Sequence, residues 1–168
     1  MAAEWGSRVS SERWAQYGFT LIEILVVIAI LTILAAVAAP RFFSVSDVDR
    51  RFFYDDTIAA LRYAQKLAIG TGCQVQVTVA ANTYTLNLQD SCTGSSYTLS
   101  VLHPGTGASG YSNTAPSGIT LSSSDSPIIF DALGRALDSS GAVTDFTVTV
   151  GGTLDVDIVG ESGFANGV

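Results

Sequence analysis

The chain has 168 residues, enough for one domain with a sizeable core and an appended segment but not for two independent domains. At 48% hydrophobic, 14% charged and 16 Gly, its composition excludes intrinsic disorder and suits short strands joined by polar turns. The net charge of −7 gathers late: beyond residue 73 the only Lys or Arg is Arg135, against Asp90, Asp125, Asp131, Asp138, Asp145, Asp155, Asp157 and Glu161, a surface that repels phosphate backbones and anionic headgroups.

Residues 1–18, MAAEWGSRVSSERWAQYG, set Arg8 and Arg13 against Glu4 and Glu12. From Phe19 to Ala39 follow 21 residues in which Glu23 is the only charge. As a helix this run would be about 32 Å long, close to the hydrocarbon thickness of a bilayer. Pro40 predicts a kink or break where the run ends, because its ring removes a helical hydrogen bond and clashes with the preceding turn. A cleaved secretory signal would use Ile24 to Ala35 as its apolar region and Ala36-Val37-Ala38 as its cleavage site. Its leading region would then carry more acid than base, with Glu23 directly against the apolar core, which is a poor signal. An uncleaved membrane anchor fits better but leaves Glu23 unexplained, since an acid in a spanning segment is costly and marks function.

A third reading covers both features. GFTLIE at 18–23, followed by the long apolar run and Pro40, resembles the N-terminal signature of type IV pilins and type II secretion pseudopilins. The resemblance implies a leader at 1–18 that a prepilin peptidase removes by cutting after Gly18, with methylation of the new N-terminus at Phe19. It implies a transmembrane and filament-core helix at 19–39 and a single-pass protein of the bacterial inner membrane with a periplasmic head, later part of a pilus or pseudopilus. The implied partners are the peptidase, other major and minor pilins or pseudopilins, the inner-membrane assembly platform and, before assembly, the membrane itself. Glu23 then acts in assembly. Cleavage creates an ammonium group on Phe19, and a neighbouring subunit displaced along a filament brings its own ammonium to the Glu23 carboxylate, which favours one axial register. Arg41, Arg50 and Arg51 follow the span, so orientation rests on the motif rather than on a count of basic residues.

After Pro40, residues 40–72 predict an amphipathic continuation of the helix. Asp47 is available to cap its start and Gly70 and Gly72 to end it, with Tyr54, Ile58, Leu61 and Ala68 on the packing face. Residues 73–168 change period and read as a β-rich head. Gln74 to Ala80 and Tyr84 to Leu88 alternate about a turn at Asn82 and Thr83, which predicts a hairpin. Further strands are expected at Tyr97 to Leu102, Ile119 to Leu121, Ile128 to Phe130, Phe146 to Val150 and Leu154 to Val159, with Gly151 and Gly152 turning between the last two. His103 to Gly118, rich in Gly, Ser and Pro, reads as an exposed loop. Cys73 and Cys92 bracket 18 residues; in an oxidising compartment they form a disulfide worth roughly 3 kcal/mol, and otherwise they are two buried thiols. The predicted fold is α+β, a long N-terminal hydrophobic helix laid against an antiparallel sheet.

LRYAQKLAI at 61–69, then a Cys and an alternating strand, FDALGR at 130–135 and GESGF at 160–164 resemble the GspH/FimT group, and PRFF at 40–43 with RFFYDDTIAALRYAQ at 51–65 is similar to the MshC-like minor pilins of MSHA-type pili. The tail departs from the pattern, since GESGFANGV runs on past the ESG. This resemblance implies a non-enzymatic minor pilin or pseudopilin acting in assembly initiation or at the tip. The alternative is a DNA-uptake, FimT-like pilin, for which the head offers Arg135 alone as a basic side chain, so nucleic acid is disfavoured. An exported hydrolase with a retained anchor is the third class. Its one histidine, His103, precedes a Pro with no nucleophile near it, and Ser162 lacks the Gly-x-Ser-x-Gly spacing of a nucleophile elbow, so no catalytic residue is assigned. Asp155, Asp157 and Glu161 are oxygen donors, but the first two alternate with Leu154, Val156 and Ile158 as solvent-facing strand positions do, so neither a metal nor a cofactor is expected. Asp131 and Arg135 read as a structural pair shaping the FDALGR turn.

Overall fold

The computed structural model describes residues 20–42 and 45–168, with side-chain surroundings for 20–35 and 46–168. The chain divides after residue 43 into two compact units. The described part of the first is α1 (Leu21–Phe42), which carries Pro40 inside its last turns. Every described side chain of α1 is exposed, as a helix that is apolar on all sides must be when considered alone. Among the described residues no helix is long and apolar enough to cross a membrane. The described side chains of α1 run only from Leu21 to Ala35, about 23 Å of helix, whereas the apolar run in the sequence continues to Ala39.

The second unit opens with α2 (Val45–Thr71). Two changes from expectation concern its ends. Asp47 does not cap it but lies within its first turn, where it pairs with Arg50 at 2.8 Å. Gly70 is helical, and termination falls to Gly72 alone, whose N–H still reaches the Ala68 carbonyl at 2.9 Å and whose φ of 70° then turns the chain out of the helix. Phe53, Thr57, Ala60, Leu61, Ala64 and Ala68 are buried at helical spacing, with Tyr54 and Ile58 packed at the margin. The small residues on this stripe let the sheets approach closely. Thr57, the buried hydroxyl, is satisfied by the Phe53 carbonyl at 2.8 Å.

Where one antiparallel sheet was expected, there are two, because four of the strands beyond Ile119 pair only with one another, while two others join the sheet of the first hairpin. The first contains β1 (Val75–Ala80), β2 (Thr83–Leu88), β3 (Leu99–Ser100), β4 (Ser112–Thr114), β6 (Ile128–Phe130) and β7 (Ala136–Leu137), in the order β3-β2-β1-β6-β7 with β4 also on β2. The second contains β5 (Leu121–Ser123), β8 (Phe146–Val150), β9 (Leu154–Val159) and β10 (Phe164–Gly167), in the order β10-β9-β8-β5. α2 packs against β1 and β6 of the first and β10 and β8 of the second, and the core fills the space between. The hairpin turn is one residue earlier than expected. Ala81 and Asn82 both have positive φ, the geometry of a tight primed turn, so Thr83 already pairs with Ala80. The segment expected as an exposed loop contains β4 and the buried Tyr111, because Thr83 to Thr85 offers a free strand edge to Ser112–Thr114. β5 starts two residues later than expected, while Ile119 still enters the core.

Candidate functional site

Gly18 and Phe19, the expected processing junction, lie outside the described residues. Just beyond them, Thr20 caps α1: its carbonyl accepts from the N–H groups of Glu23 and Ile24 at 3.0 and 3.2 Å, and its Oγ1 accepts from the Glu23 N–H at 3.2 Å. Glu23 thus sits in the first turn of α1, exposed, where the orphan N–H groups and the helix dipole favour a negative charge. The sequence reading missed Thr20, although Thr-x-x-Glu ahead of an apolar run is a capping-box spacing. The result is a carboxylate held at the amino end of a helix otherwise devoid of charge down to Ala39.

In the head, the motifs LRYAQ, FDALGR and GESGF meet on one side chain. Gln65 of α2 donates through Nε2 to the Gly134 carbonyl at 3.2 Å and to the Ser162 carbonyl at 2.5 Å. One amide therefore ties two turns far apart in sequence to the helix. The first turn is shaped from within by Asp131, as expected. Its Oδ1 accepts from the N–H groups of Leu133 and Arg135 at 2.9 and 2.8 Å, and its Oδ2 from Arg135 Nε at 2.9 Å, with the guanidinium at 2.7 Å. The second turn requires Gly163: φ is 62°, and a Cβ there would collide with the Gly134 carbonyl. Residues past the ESG form β10, which closes the second sheet. Arg62 of α2 donates to the Ala165 carbonyl at 3.0 Å and lies 5.4 Å over the Phe164 ring.

Among the remaining candidates, Cys73 and Cys92 are joined in a disulfide that anchors β1 to the loop after β2. Buried Tyr84 donates to Asp56, which also accepts from Asn113 Nδ2 at 2.8 Å; burial first, and then the adjacent carboxylate, push the Tyr84 phenol far above its usual range, so it remains a donor. His103 Nδ1 accepts from the N–H groups of Gly105 and Thr106 at 3.0 and 3.3 Å, and its ring lies 4.5 Å from that of Tyr111, so the histidine organises its own turn. Ser162 Oγ accepts from the Phe164 N–H at 3.3 Å. Asp155 and Asp157 accept from Thr149 and Thr147 across the strand pair at 2.7 and 3.0 Å. Among the described residues no cluster of His, Cys, Asp and Glu could hold a metal ion.

Residues 15–39 match the prokaryotic N-terminal methylation motif. The match takes in the Gly18–Phe19 junction, Glu23 and the apolar run as far as Ala39. Over 51 residues it is 47% identical to the type IV narrow pilus major component PilA5 of Thermus thermophilus, a match covering 30% of this chain and 44% of that protein. In structure it is similar to the minor pseudopilin EpsH from the type 2 secretion system of Vibrio cholerae, with a TM-score of 0.54 at 13% identity over 71% of this chain and 95% of that one. FimU, a type IV minor pilin of Pseudomonas aeruginosa, gives 0.47 at 13% identity over 68% of this chain and 88% of its own. The EpsH likeness establishes the pilin-like α+β fold, a helix packed against antiparallel sheets. A motif of this kind marks a chain for processing by prepilin peptidase.

Proposed function

We propose that this chain is a minor pilin or pseudopilin of the GspH/FimT type, similar to the MshC-like subunits of MSHA-type pili, that initiates assembly or sits at the filament tip. Cleavage after Gly18 frees the amine of Phe19, and Glu23 receives the amine of a neighbouring subunit. Before assembly residues 19–39 lie in the inner membrane with the head outside the cytoplasm, where the Cys73–Cys92 disulfide is stable. The observation that carries this reading is Glu23, within the methylation motif, in the first turn of a helix that is otherwise apolar and uncharged down to Ala39. Supporting the minor role are the convergence of three head motifs on Gln65 and a fold like that of EpsH. PilA5, by contrast, is a major component, but its match spans only 51 residues, 30% of this chain.

The DNA-uptake alternative has little to draw on. Of the basic residues in 45–168, Arg50 and Arg135 are paired with carboxylates and Arg62 is held by the Ala165 carbonyl and the Phe164 ring, which leaves Arg51 and Lys66 on an acidic head.

The test is mass spectrometry of the protein from its native host together with filament incorporation of Glu23→Ala. A methylated N-terminus at Phe19 and near-complete loss of the variant from sheared filaments are expected. Retention of residues 1–18, or normal incorporation without the carboxylate, overturns the proposal.

A further inference from the structure

The outer face of the first sheet carries a groove of about 390 Å³. Its floor is formed by Gln74 and Gln76 at the start of β1 with Ile129 of β6 and Leu137 of β7, and its walls by residues 94–97 and 139–141. It lies at the end of the head where α2 finishes.

Both walls are stapled. The disulfide and buried Gln89 hold the first: Gln89 Oε1 accepts from the Gln74 N–H at 3.1 Å, and Nε2 donates to the Gly94 carbonyl. Asp138 holds the second, its Oδ1 accepting from the Ser140 N–H and Oγ and the Ala142 N–H at 2.8, 2.7 and 2.9 Å. The Tyr97 hydroxyl bridges wall and floor by donating to Gln74 Oε1 at 2.5 Å, and burial raises this phenol above its ordinary pKa, so it stays protonated. The groove is therefore formed before any ligand arrives, which lowers the entropic cost of binding.

Its chemistry is narrow. No lining residue is charged, although the chain as a whole carries −7. Polar groups are the hydroxyls of Ser95, Tyr97, Ser139 and Ser140 and the amides of Gln74 and Gln76. A phosphate or carboxylate would find no cation here, and a divalent metal no carboxylate. An apolar segment would cover hydroxyls and amides without satisfying them. A neutral polyol suits the lining, since each ligand hydroxyl both donates and accepts, Gln76 offers two donors and a carbonyl, and Gln74, whose carbonyl already accepts from Tyr97, offers its amide donors. Ile129 and Leu137 then meet the C–H faces of a sugar ring. The volume lies within the range of small-molecule clefts, about 300–1,000 Å³. We propose that this groove binds a neutral oligosaccharide.

The experiment uses the full chain in a phosphocholine detergent, free of sugar headgroups, titrated with maltotriose, cellotriose and triacetylchitotriose, with trigalacturonate as the charged control. An open groove implies affinity on the order of millimolar, so amide chemical shifts are the readout. Saturable shifts confined to Ser95, Tyr97, Ser140 and Gly141 with at least one neutral probe, and none with trigalacturonate, are expected. Gln76→Ala, a floor residue outside the core, weakens that binding about tenfold with an unchanged melting temperature. Three results overturn the proposal: no saturable shift with any neutral probe up to about 20 mM, shifts mapping elsewhere, or equal binding of the uronate. None depends on whether the chain enters a filament, so this proposal and the assembly reading fail separately.

Discussion

The two helices bury apolar surface in opposite ways. Around α1 every described aliphatic stands open, from Leu21 at 83% to Leu34 at 58%, with no side of the helix preferred. Along α2 the apolar residues fall on one stripe, and Phe53, Ala60, Leu61, Ala64 and Ala68 are almost fully covered by the two sheets. A stripe can be satisfied by the chain's own strands, whereas a helix apolar on all sides requires a surrounding medium such as lipid or other helices. The difference teaches where to look for each role: the head folds on its own contacts, and α1 is selected for an environment that this chain does not supply.

The comparison breaks if substitutions in the two helices cost the same. Phe53→Ala should destabilise the head by about 3–5 kcal/mol, since it removes a large side chain that is 2% exposed between α2 and the sheets. Ile28→Ala, at a position 55% exposed, should leave head stability within about 0.5 kcal/mol. Urea unfolding of the full chain in detergent, followed by near-UV circular dichroism, separates the two. A similar loss from both variants would mean that α1 is part of the head's cooperative unit.

A smaller effect sharpens the same contrast. Gln65→Ala should cost about 1–3 kcal/mol, because the carbonyls of Gly134 and Ser162 lose their shared donor while the stripe behind it is untouched. Glutamate at the same position should be worse than alanine, as a carboxylate would face two carbonyl oxygens. If instead alanine is silent in the melting temperature and glutamate is tolerated, the three motifs are not joined through this amide.

Much of this was legible in the sequence, for identifiable reasons. β8 and β9 fall where alternation placed them, since strands with one buried and one wet face print their period directly: Phe146, Val148 and Val150 are inside, and Asp155 and Asp157 meet threonines on the outer face. β4, β7 and β10 escaped because two to four residues hold no period, and their pairing is decided by a distant edge rather than by local pattern. The division into two sheets was hidden for the same reason. Asp131 with Arg135 was readable from their spacing in a turn, whereas Gln65 was not: its role depends on two turns 69 and 97 residues away arriving at one helix. At the start of α1, Glu23 is legible as the lone charge of the run, whereas the Thr20 cap rests on one short Thr-x-x-Glu spacing that many non-helical segments share.

The smallest predicted effect lies in the walls of the groove, far from either helix's apolar surface. Hydrogen bonds from the Thr98 hydroxyl and N–H hold the Asp90 carboxyl below its ordinary value of 3.8, and those from the Ser140 hydroxyl, the Ala142 N–H and the Ser140 N–H do the same for Asp138. A carboxylate whose folded pKa is depressed contributes its stabilisation above the unfolded value and loses it as pH falls through the folded one. Between pH 5 and 8 the two walls should therefore be insensitive to pH, and they should loosen only well below pH 4. Amide shifts of Thr98, Ser140 and Ala142, followed on acidification, should move together there while the core amides of Val77 and Val148 hold. Asp138→Asn should remove the response at Ser140 and Ala142 but leave that at Thr98 intact. If the walls instead loosen near neutrality, some other titrating group governs them, and Asp138 is not what fixes the second wall.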